Sequence, residues 1–320
     1  MKLLRFVTVV LLFGLTTVAQ AAFPDKPIKI IVGFPPGGPL DTHARLLIDQ
    51  LQKSLGQPVV IDYKPGAGGS IGADFVIKSP ADGYTLLMAN TGTMVINPFV
   101  YTKNAYVTLR DFTPIARTAQ QPLALVVNND VPVKTFAEFI DYAKKNPGKV
   151  NYGSAGNGGI SHLVPEMLEQ ATGIDMVHVP YKGTAPAFID LLAGQVQFMS
   201  ESIPQVTQYL KAGKVRALAM TGKERNAAIP DVPTMAEAGV KNFEVVGFYG
   251  VLAPAKLPAD VIAKLSDAFR KTLAAEEVKT RMVQQGADPA FLDSAQFTLF
   301  LQSEGARWGD AVKKAGVKLD

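Results

Sequence analysis

The sequence predicts an α/β protein of two lobes, each a mainly parallel sheet flanked by helices, with two extended crossings between them. Three observations lead there. Short β-branched runs alternate with helical patterns, which is the signature of βαβ units and parallel sheets. The rhythm stops at a long extended run, Pro114–Val127, and then starts again. A second extended run, Phe248–Ala253, follows much later, as a second crossing would.

In order, Ile28–Gly33 is an apolar strand that ends at Phe34-Pro35-Pro36-Gly37-Gly38. A helix is expected from Asp41 to Leu55, with Leu47, Leu51 and Leu55 at helical spacing. Val59–Tyr63 is the second strand, followed by Gly66-Ala67-Gly68-Gly69-Ser70 and a helix over Ile71–Lys78. Tyr84–Ala89 is the third strand and leads into a loop at Asn90-Thr91-Gly92-Thr93. Beyond the first crossing, Phe136–Lys145 is a helix stopped by Asn146-Pro147-Gly148. Val150–Gly153 then opens the second half and runs into Ser154-Ala155-Gly156-Asn157-Gly158-Gly159, with a helix through Gln170. Met176–Pro180, Val196–Ser200 and Val215–Met220 read as strands, and Ala185–Ala193 and Pro258–Ala275 as helices. The expected lobes are 22–123 with 245–285, and 124–244 with 286–320. Ligands favour such junctions and the carboxyl ends of parallel strands, and hinge closure is the expected motion.

The first residues read as a secretory leader over 1–21. Lys2 and Arg5 precede an uncharged apolar run, Phe6–Val18, and Ala19-Gln20-Ala21 supplies the small-x-small cleavage pattern. The run is too short to span a bilayer comfortably, which takes about 20 residues, so the mature chain is not expected to be membrane-embedded. The 320-residue chain has no cysteine, which excludes disulfides, thiolate metal sites and a cysteine nucleophile. Its net charge is +4, falling to +2 once Lys2 and Arg5 leave. The basic residues are scattered, so nucleic acid is not an expected partner.

Two glycine loops carry the functional argument. Phe34–Gly38 follows the first strand of one half and Ser154–Gly159 the first strand of the other, and both lead into helices. A helix start leaves backbone N–H groups unpaired and carries a partial positive charge. Glycine lets an anion approach that backbone closely. Either loop alone could be a tight turn; two in equivalent positions point to a carboxylate held without arginine. Around them, Asp41 is either a helix N-cap or a residue that orders the first loop. Ser161 precedes His162 in the first turn of the second helix, and His162 is either an anion donor or a histidine bonded to a nearby carbonyl. Thr91 and Thr93 flank Gly92 and offer hydroxyls, as does Tyr181, beside which Lys182 reads as solvated. Glu201 could meet a ligand amine or hydroxyl, or lie at the rim, and Phe248 starts the second crossing.

Catalytic constellations are not found. His43, His162 and His178 lack metal-ligand spacing, Ser154 is not in a G-x-S-x-G elbow, and no metal or cofactor is expected. Gly66-x-Gly68-x-x-x-Gly72 approaches a dinucleotide fingerprint, but Ile71 holds the place of the third glycine and the motif follows the second strand. An NAD-dependent oxidoreductase is therefore the remote alternative, and the chain is expected not to be an enzyme.

Six motifs in order give a specific resemblance: Ile30-Ile31-Val32-Gly33-Phe34-Pro35-Pro36-Gly37-Gly38, Pro65-Gly66-Ala67-Gly68-Gly69, Asp82-Gly83-Tyr84-Thr85-Leu86-Leu87, Asn151 through Gly158, Val177 through Gly183, and Pro230-Asp231-Val232-Pro233-Thr234. Over essentially its whole length the chain resembles the substrate-binding receptors of tripartite tricarboxylate transporters, the Bug or TctC family. The resemblance implies a two-lobed periplasmic binding protein, a small organic acid ligand, and the integral-membrane permease subunits of such a transporter as partner, with the receptor itself a monomer. It also implies that Phe34–Gly38, Asp41 and Thr91–Thr93 line one wall, and Ser154–Gly159, Ser161 and His162 the other. Many relatives carry Asp-Asn at Glu201-Ser202, Trp-Phe or similar at Phe248-Tyr249, and small hydroxyl residues at Pro39-Leu40, so these positions are read as selectors of the ligand's distal end. A receptor that signals to a membrane sensor is the alternative function. The leader reading predicts that mature protein begins at Ala22 or Phe23; N-terminal sequencing that finds Met1 on functional protein rejects it.

Overall fold

The computed structural model describes residues 23–103, 106–181, 183–284 and 287–319; the expected leader and Lys182 lie outside them. In the first half, β1 (Ile28–Val32) leads through the first glycine loop to α1 (Pro39–Leu55), then β2 (Val59–Tyr63), α2 (Ser70–Ile77) and β3 (Thr85–Asn90). Short helices α3 (Asn97–Val100) and α4 (Thr108–Asp111) precede β4 (Phe112–Asn128) and α5 (Phe136–Lys145). The second half holds β5 (Val150–Ser154), α6 (Ile160–Thr172), β6 (Met176–Pro180), α7 (Thr184–Leu192), β7 (Phe198–Ser202), α8 (Ile203–Lys211) and β8 (Val215–Met220). The chain then returns as β9 (Val246–Pro254), α9 (Ala259–Ala274), α10 (Glu276–Gln284), β10 (Asp288–Leu292) and α11 (Ser294–Ala315).

The strand order is β2-β1-β3-β9-β4-β7-β5-β6, with β8 and β10 also on β4. Pairing is parallel within each group, β2-β1-β3 and β7-β5-β6, and antiparallel along the two crossings. β4 has 17 residues, so at about 3.3 Å per residue it spans roughly 55 Å and can serve both groups. Its first part pairs with β9 and β10, and its second with β7 and β8. Pro114 is tolerated because the register against β9 slips between Pro114 and Ala116. The expected two groups of mainly parallel strands, bridged by two long crossings, are present.

The apolar pattern explains the layers. β1 is buried on both faces, as a parallel strand covered by helices should be. Ile28, Ile30 and Val32 pack with Leu47 and Leu51 of α1 and Phe269 of α9, while Ile31 joins Ala73 and Val76 of α2 in the other layer. In the second half, Tyr152 and Phe198 pack with Phe139 and Leu163 on one face, and Met199 with Phe188 and Val206 on the other.

Three differences from the sequence reading have physical causes. α1 starts at Pro39, not Asp41, because proline at the first helical position needs no N–H partner and has a preset φ. The segment after β3 is not an open loop: Thr91 enters a π-type turn, Gly92–Ile96, directly. The sequence reading names no element beyond Ala275, yet α11 is a 22-residue helix. Its signals were present: Asp293 and Gln296 form a capping box, Phe297, Leu301, Trp308 and Val312 recur on its buried face, and Gly316 closes it at φ 66°.

α11 fastens the crossings. Ser294 Oγ donates to the Pro114 carbonyl at 2.6 Å, and the Arg117 guanidinium lies 4.8 Å from the Phe300 ring while donating to the Ala290 carbonyl at 3.0 Å. A Cβ at Gly250 in β9 would stand 2.4 Å from Phe297. Gly250→Ala is therefore expected to cost about 1–3 kcal/mol through overpacking, read as a lower midpoint in urea unfolding; an unchanged midpoint rejects this account of the contact.

Candidate functional site

Both glycine loops end in helices that begin the same way. The N-cap of α1 is Gly38 (φ −78°, ψ 172°) and that of α6 is Gly159 (φ −76°, ψ 167°), and neither helix has a side-chain cap. By contrast, α5 and α11 carry complete capping boxes. At α1 the N–H groups of Gly38, Leu40 and Asp41 donate to nothing among the described residues; at α6 the same holds for Asn157, Ile160 and Ser161. Helix starts with unspent donors bind anions readily.

The first loop is held by Asp41, which sits inside the first turn and is not the N-cap. Its carboxylate accepts from the Gly37 N–H at 2.7 Å and from Tyr63 Oη at 2.7 Å, and pairs with Arg45 at 2.9 Å. Arg45 also donates to Tyr63 Oη. Of the two roles open in sequence, ordering the loop is the one the geometry shows. Burial pushes the Asp41 carboxyl up, but the hydrogen bonds from Gly37, Tyr63 and Arg45 outweigh it and leave it below the usual carboxylate range. Pro35, Pro36 and Gly37 are exposed, and Phe34 is half-buried.

The second loop spends most of its own donors. Ala155 N–H donates to Ser161 Oγ at 3.0 Å, Gly156 N–H to Ser154 Oγ at 3.2 Å, and Gly158 N–H to His162 Nδ1 at 3.0 Å. A backbone N–H only donates, so His162 Nδ1 is unprotonated and acts as an acceptor, neither of the roles anticipated for it. Its ring stacks on His178 at 3.8 Å, and Tyr152 stacks on His178 in turn at 4.9 Å. His178 Nε2 meets Ser154 Oγ at 2.6 Å; burial, with His162 adding to it, pushes His178 down to about 4. The histidines thus stiffen the loop from behind.

The other sequence-named residues divide. Thr91 Oγ1 accepts the Phe248 N–H at 2.8 Å and ties β3 to β9, while Thr93 Oγ1 donates to the Gly68 carbonyl at 3.1 Å. Phe248 turns its side chain away from the loops, into edge-to-face contact with Phe297 and Phe300. The next residue, Tyr249, points to the opposite layer: its ring is buried 4.8 Å from His43 of α1, and Gln121 of β4 lies close enough to pull its phenol ionisation down. Sequence reasoning missed Tyr249 and Gln121 as a pair because their proximity depends on the β4–β9 register. Tyr181 donates to Asp190 at 2.6 Å. Glu201 lies within β7, buried, with Thr184 Oγ1 at 2.8 Å. Both helices after the loops stand against β9: a Cβ at Gly247 would lie 3.4 Å from Ile160 at the start of α6, and Tyr249 stacks near His43 of α1. Two open surface depressions, one by Glu276, Lys279 and Pro289 and one by Phe136, Asp141 and Lys144, lie away from both loops.

Of the near-fingerprint glycines, Gly72 has a packing role, together with Gly33. A Cβ at Gly33 would stand 2.7 Å from Gly69 Cα, and one at Gly72 would stand 2.9 Å from Gly33 Cα. They let the end of β1 pass close to the turn before α2.

Two sheet groups on shared crossing strands, with paired uncapped helix starts at the junction, define the class of two-lobed periplasmic solute-binding proteins. The model of the tripartite tricarboxylate transporter family receptor, TctC, matches residues 43–317. The chain belongs to that family, whose members are periplasmic solute-binding receptors. It is similar to protein BugT of Bordetella pertussis, 35% identical over 100% of both chains. Among solved structures it is similar to an R. palustris protein with adipate (33% identity, 92% of this chain and 99% of that one, TM-score 0.85). It is also similar to MatC from Rhodopseudomonas palustris with bound malate (34% identity, 91% and 100% covered, TM-score 0.79). Among the described residues, no helix is long and apolar enough to cross a membrane.

A carboxylate held by buried hydrogen bonds is stabilising only while ionised. Because the folded-state pKa of Asp41 is depressed, its contribution is present above the ordinary carboxylate pKa and lost as pH falls through the folded value. Arg45 is exposed, so the part-buried bonds from Gly37 and Tyr63 dominate. Asp41→Asn is expected to cost about 2 kcal/mol at neutral pH, with the gap to wild type closing on acidification; urea titrations across pH showing a constant gap reject this.

Proposed function

We propose that this chain captures a small carboxylate-bearing solute in the periplasm and delivers it, as a monomer, to the membrane permease subunits of a tripartite tricarboxylate-type transporter. The observation that carries the reading is the pair of glycine-started helices with unspent N–H groups, within a whole-length family match. The adipate and malate named with two of its structural relatives support an acid ligand. In this reading the carboxylate lies between the start of α1 and the start of α6, gripped by backbone N–H groups and no basic side chain. Charge-assisted hydrogen bonds of about 1.5–3 kcal/mol each would both bind the acid and draw the halves together about β4 and β9. The lobes in this proposal keep the boundaries expected from sequence, and export removes the leader. Loop residues that hold the backbone, among them Asp41, Ser154, Ser161 and His162, act by positioning.

The glycines to test are Gly38 and Gly159. Both have negative φ and extended backbone, and a Cβ at either meets nothing closer than 3.5 Å. Gly158 is unsuitable, because it has φ +73° and a Cβ there would stand 2.7 Å from Val100. A thermal-shift panel of mono-, di- and tricarboxylates should find a stabilising acid, by about 2.7 kcal/mol at a hundredfold excess over its Kd. Calorimetry should then give at least about tenfold weaker binding for Gly38→Val, for Gly159→Val, and for the acid's amide with wild type. Equal affinity for acid and amide, or unchanged binding in both folded variants, rejects the backbone-carboxylate reading.

A further inference from the structure

Among the described residues, no lysine or arginine pairs with the buried carboxyl of Glu201. Glu201 is 7% exposed. Its Oε2 accepts from Thr184 Oγ1 and its Oε1 from the Ser202 N–H, each at 2.8 Å. Each carboxylate oxygen can accept twice, so both retain acceptor capacity. The groups acting on its ionisation are burial, which pushes it up, and the hydrogen bonds of Ser202 and Thr184, which pull it down; no lysine or arginine is among them. Asp41 differs, because Arg45 pairs with it. His43 does not supply the missing cation. Its Nε2 meets Thr118 Oγ1 at 2.8 Å, and burial pushes its ionisation down to about 3.

Glu201 belongs to the same region as the uncapped helix starts. It stands opposite Ala124 of β4 near the carboxyl end of β7, and β7 runs parallel to β5, whose own end opens the second glycine loop before α6. Thr184, which holds Glu201, opens α7 behind Gly183, a further glycine N-cap without a side-chain bond. The region is therefore polarised. Backbone N–H donors at α1 and α6 attract an anion, and a buried acceptor carboxyl near the end of β7 attracts a donor.

We propose that the ligand is a carboxylic acid bearing a cationic nitrogen, with its carboxylate at the starts of α1 and α6 and its ammonium on Glu201. The inference rests on the carboxylate-receptor reading above and specifies its substrate class. A buried carboxylate without a cation is costly, and a ligand ammonium supplies the partner that no described residue does. A second ligand carboxylate at that end would meet Glu201 as a like charge, which selects against plain dicarboxylates.

The test uses the mature protein and calorimetry with straight-chain acids of matched length that end in an ammonium, a hydroxyl or a second carboxylate, over a ladder of chain lengths. Wild type should bind the ammonium acid at least about tenfold tighter than its hydroxyl and dicarboxylate counterparts. Glu201→Gln, which preserves shape, should lose that preference and bind the dicarboxylate no worse than wild type does. Tighter binding of the dicarboxylate by wild type, or an unchanged rank order in Glu201→Gln, overturns the inference while leaving the carboxylate reading intact. Failure of every acid in the ladder to bind wild type removes both. Should Glu201→Gln melt below the assay temperature, the wild-type rank order decides alone.

Discussion

The proposed binding region hangs on two strands that belong to both halves of the molecule. β4 pairs with β9 and β10 along its first part and with β7 and β8 along its second, and β9 connects it to β3. A backbone ladder of this kind resists shear but bends, so the halves can approach without breaking their own cores. The residues that meet at the junction follow from this register. Tyr249, Gln121 and Gly247 are neighbours only because Gln121 stands opposite Gly247 and Ala119 opposite Tyr249. α11 keeps the register firm by packing Phe297 into the space left at Gly250.

On that frame, the electrostatics need no buried cation. Two helix starts supply partial positive charge fixed by backbone geometry, and the loops are rigid because their remaining polar groups are already satisfied. Asp41 fixes Gly37, Ser161 fixes Ala155, and His162 fixes Gly158. What is left unspent is a small set of N–H groups at each helix start. Preorganised donors of this kind lose little on closing over an anion, because their orientation is already set.

Most of this frame was legible in the sequence. Strand runs such as Val59–Tyr63, Met176–Pro180 and Val215–Met220 stand in the structure with the expected bounds, because β-branched runs between turn residues are strong local signals. The glycine loops were legible for the same reason. Helix starts were less so: Pro39 moved α1 forward, and with it Asp41 from cap to brace. Side-chain direction was the least legible. Phe248 and Tyr249 are adjacent, and only the pairing of β9 with β4 and β3 decides which ring packs on Phe297 and Phe300 and which on His43. The C-terminal helix was readable from Asp293, Gln296 and its apolar stripe, but its role was not, since its partners Pro114, Arg117 and Gly250 lie far away in sequence.

The glycines do three different jobs, and the differences decide what a substitution can mean. Gly33 and Gly72 are glycine because two backbones pass within contact distance, so a side chain there disrupts the first half before it reaches any ligand. Gly158 is glycine because its φ is +73° and Val100 fills the space beyond it, so its loss mixes strain with any effect on binding. Gly38 and Gly159 face neither constraint. Their dihedrals suit any residue and their surroundings have room, so nothing in the folding of either loop demands glycine there. A residue spared by folding and still lacking a side chain, at the N-cap of a helix without a cap, leaves close approach to its backbone as the remaining physical reason for being glycine. That reason applies at the same position in both halves, so the argument for the anion site rests on these two residues and not on the glycine content of the loops.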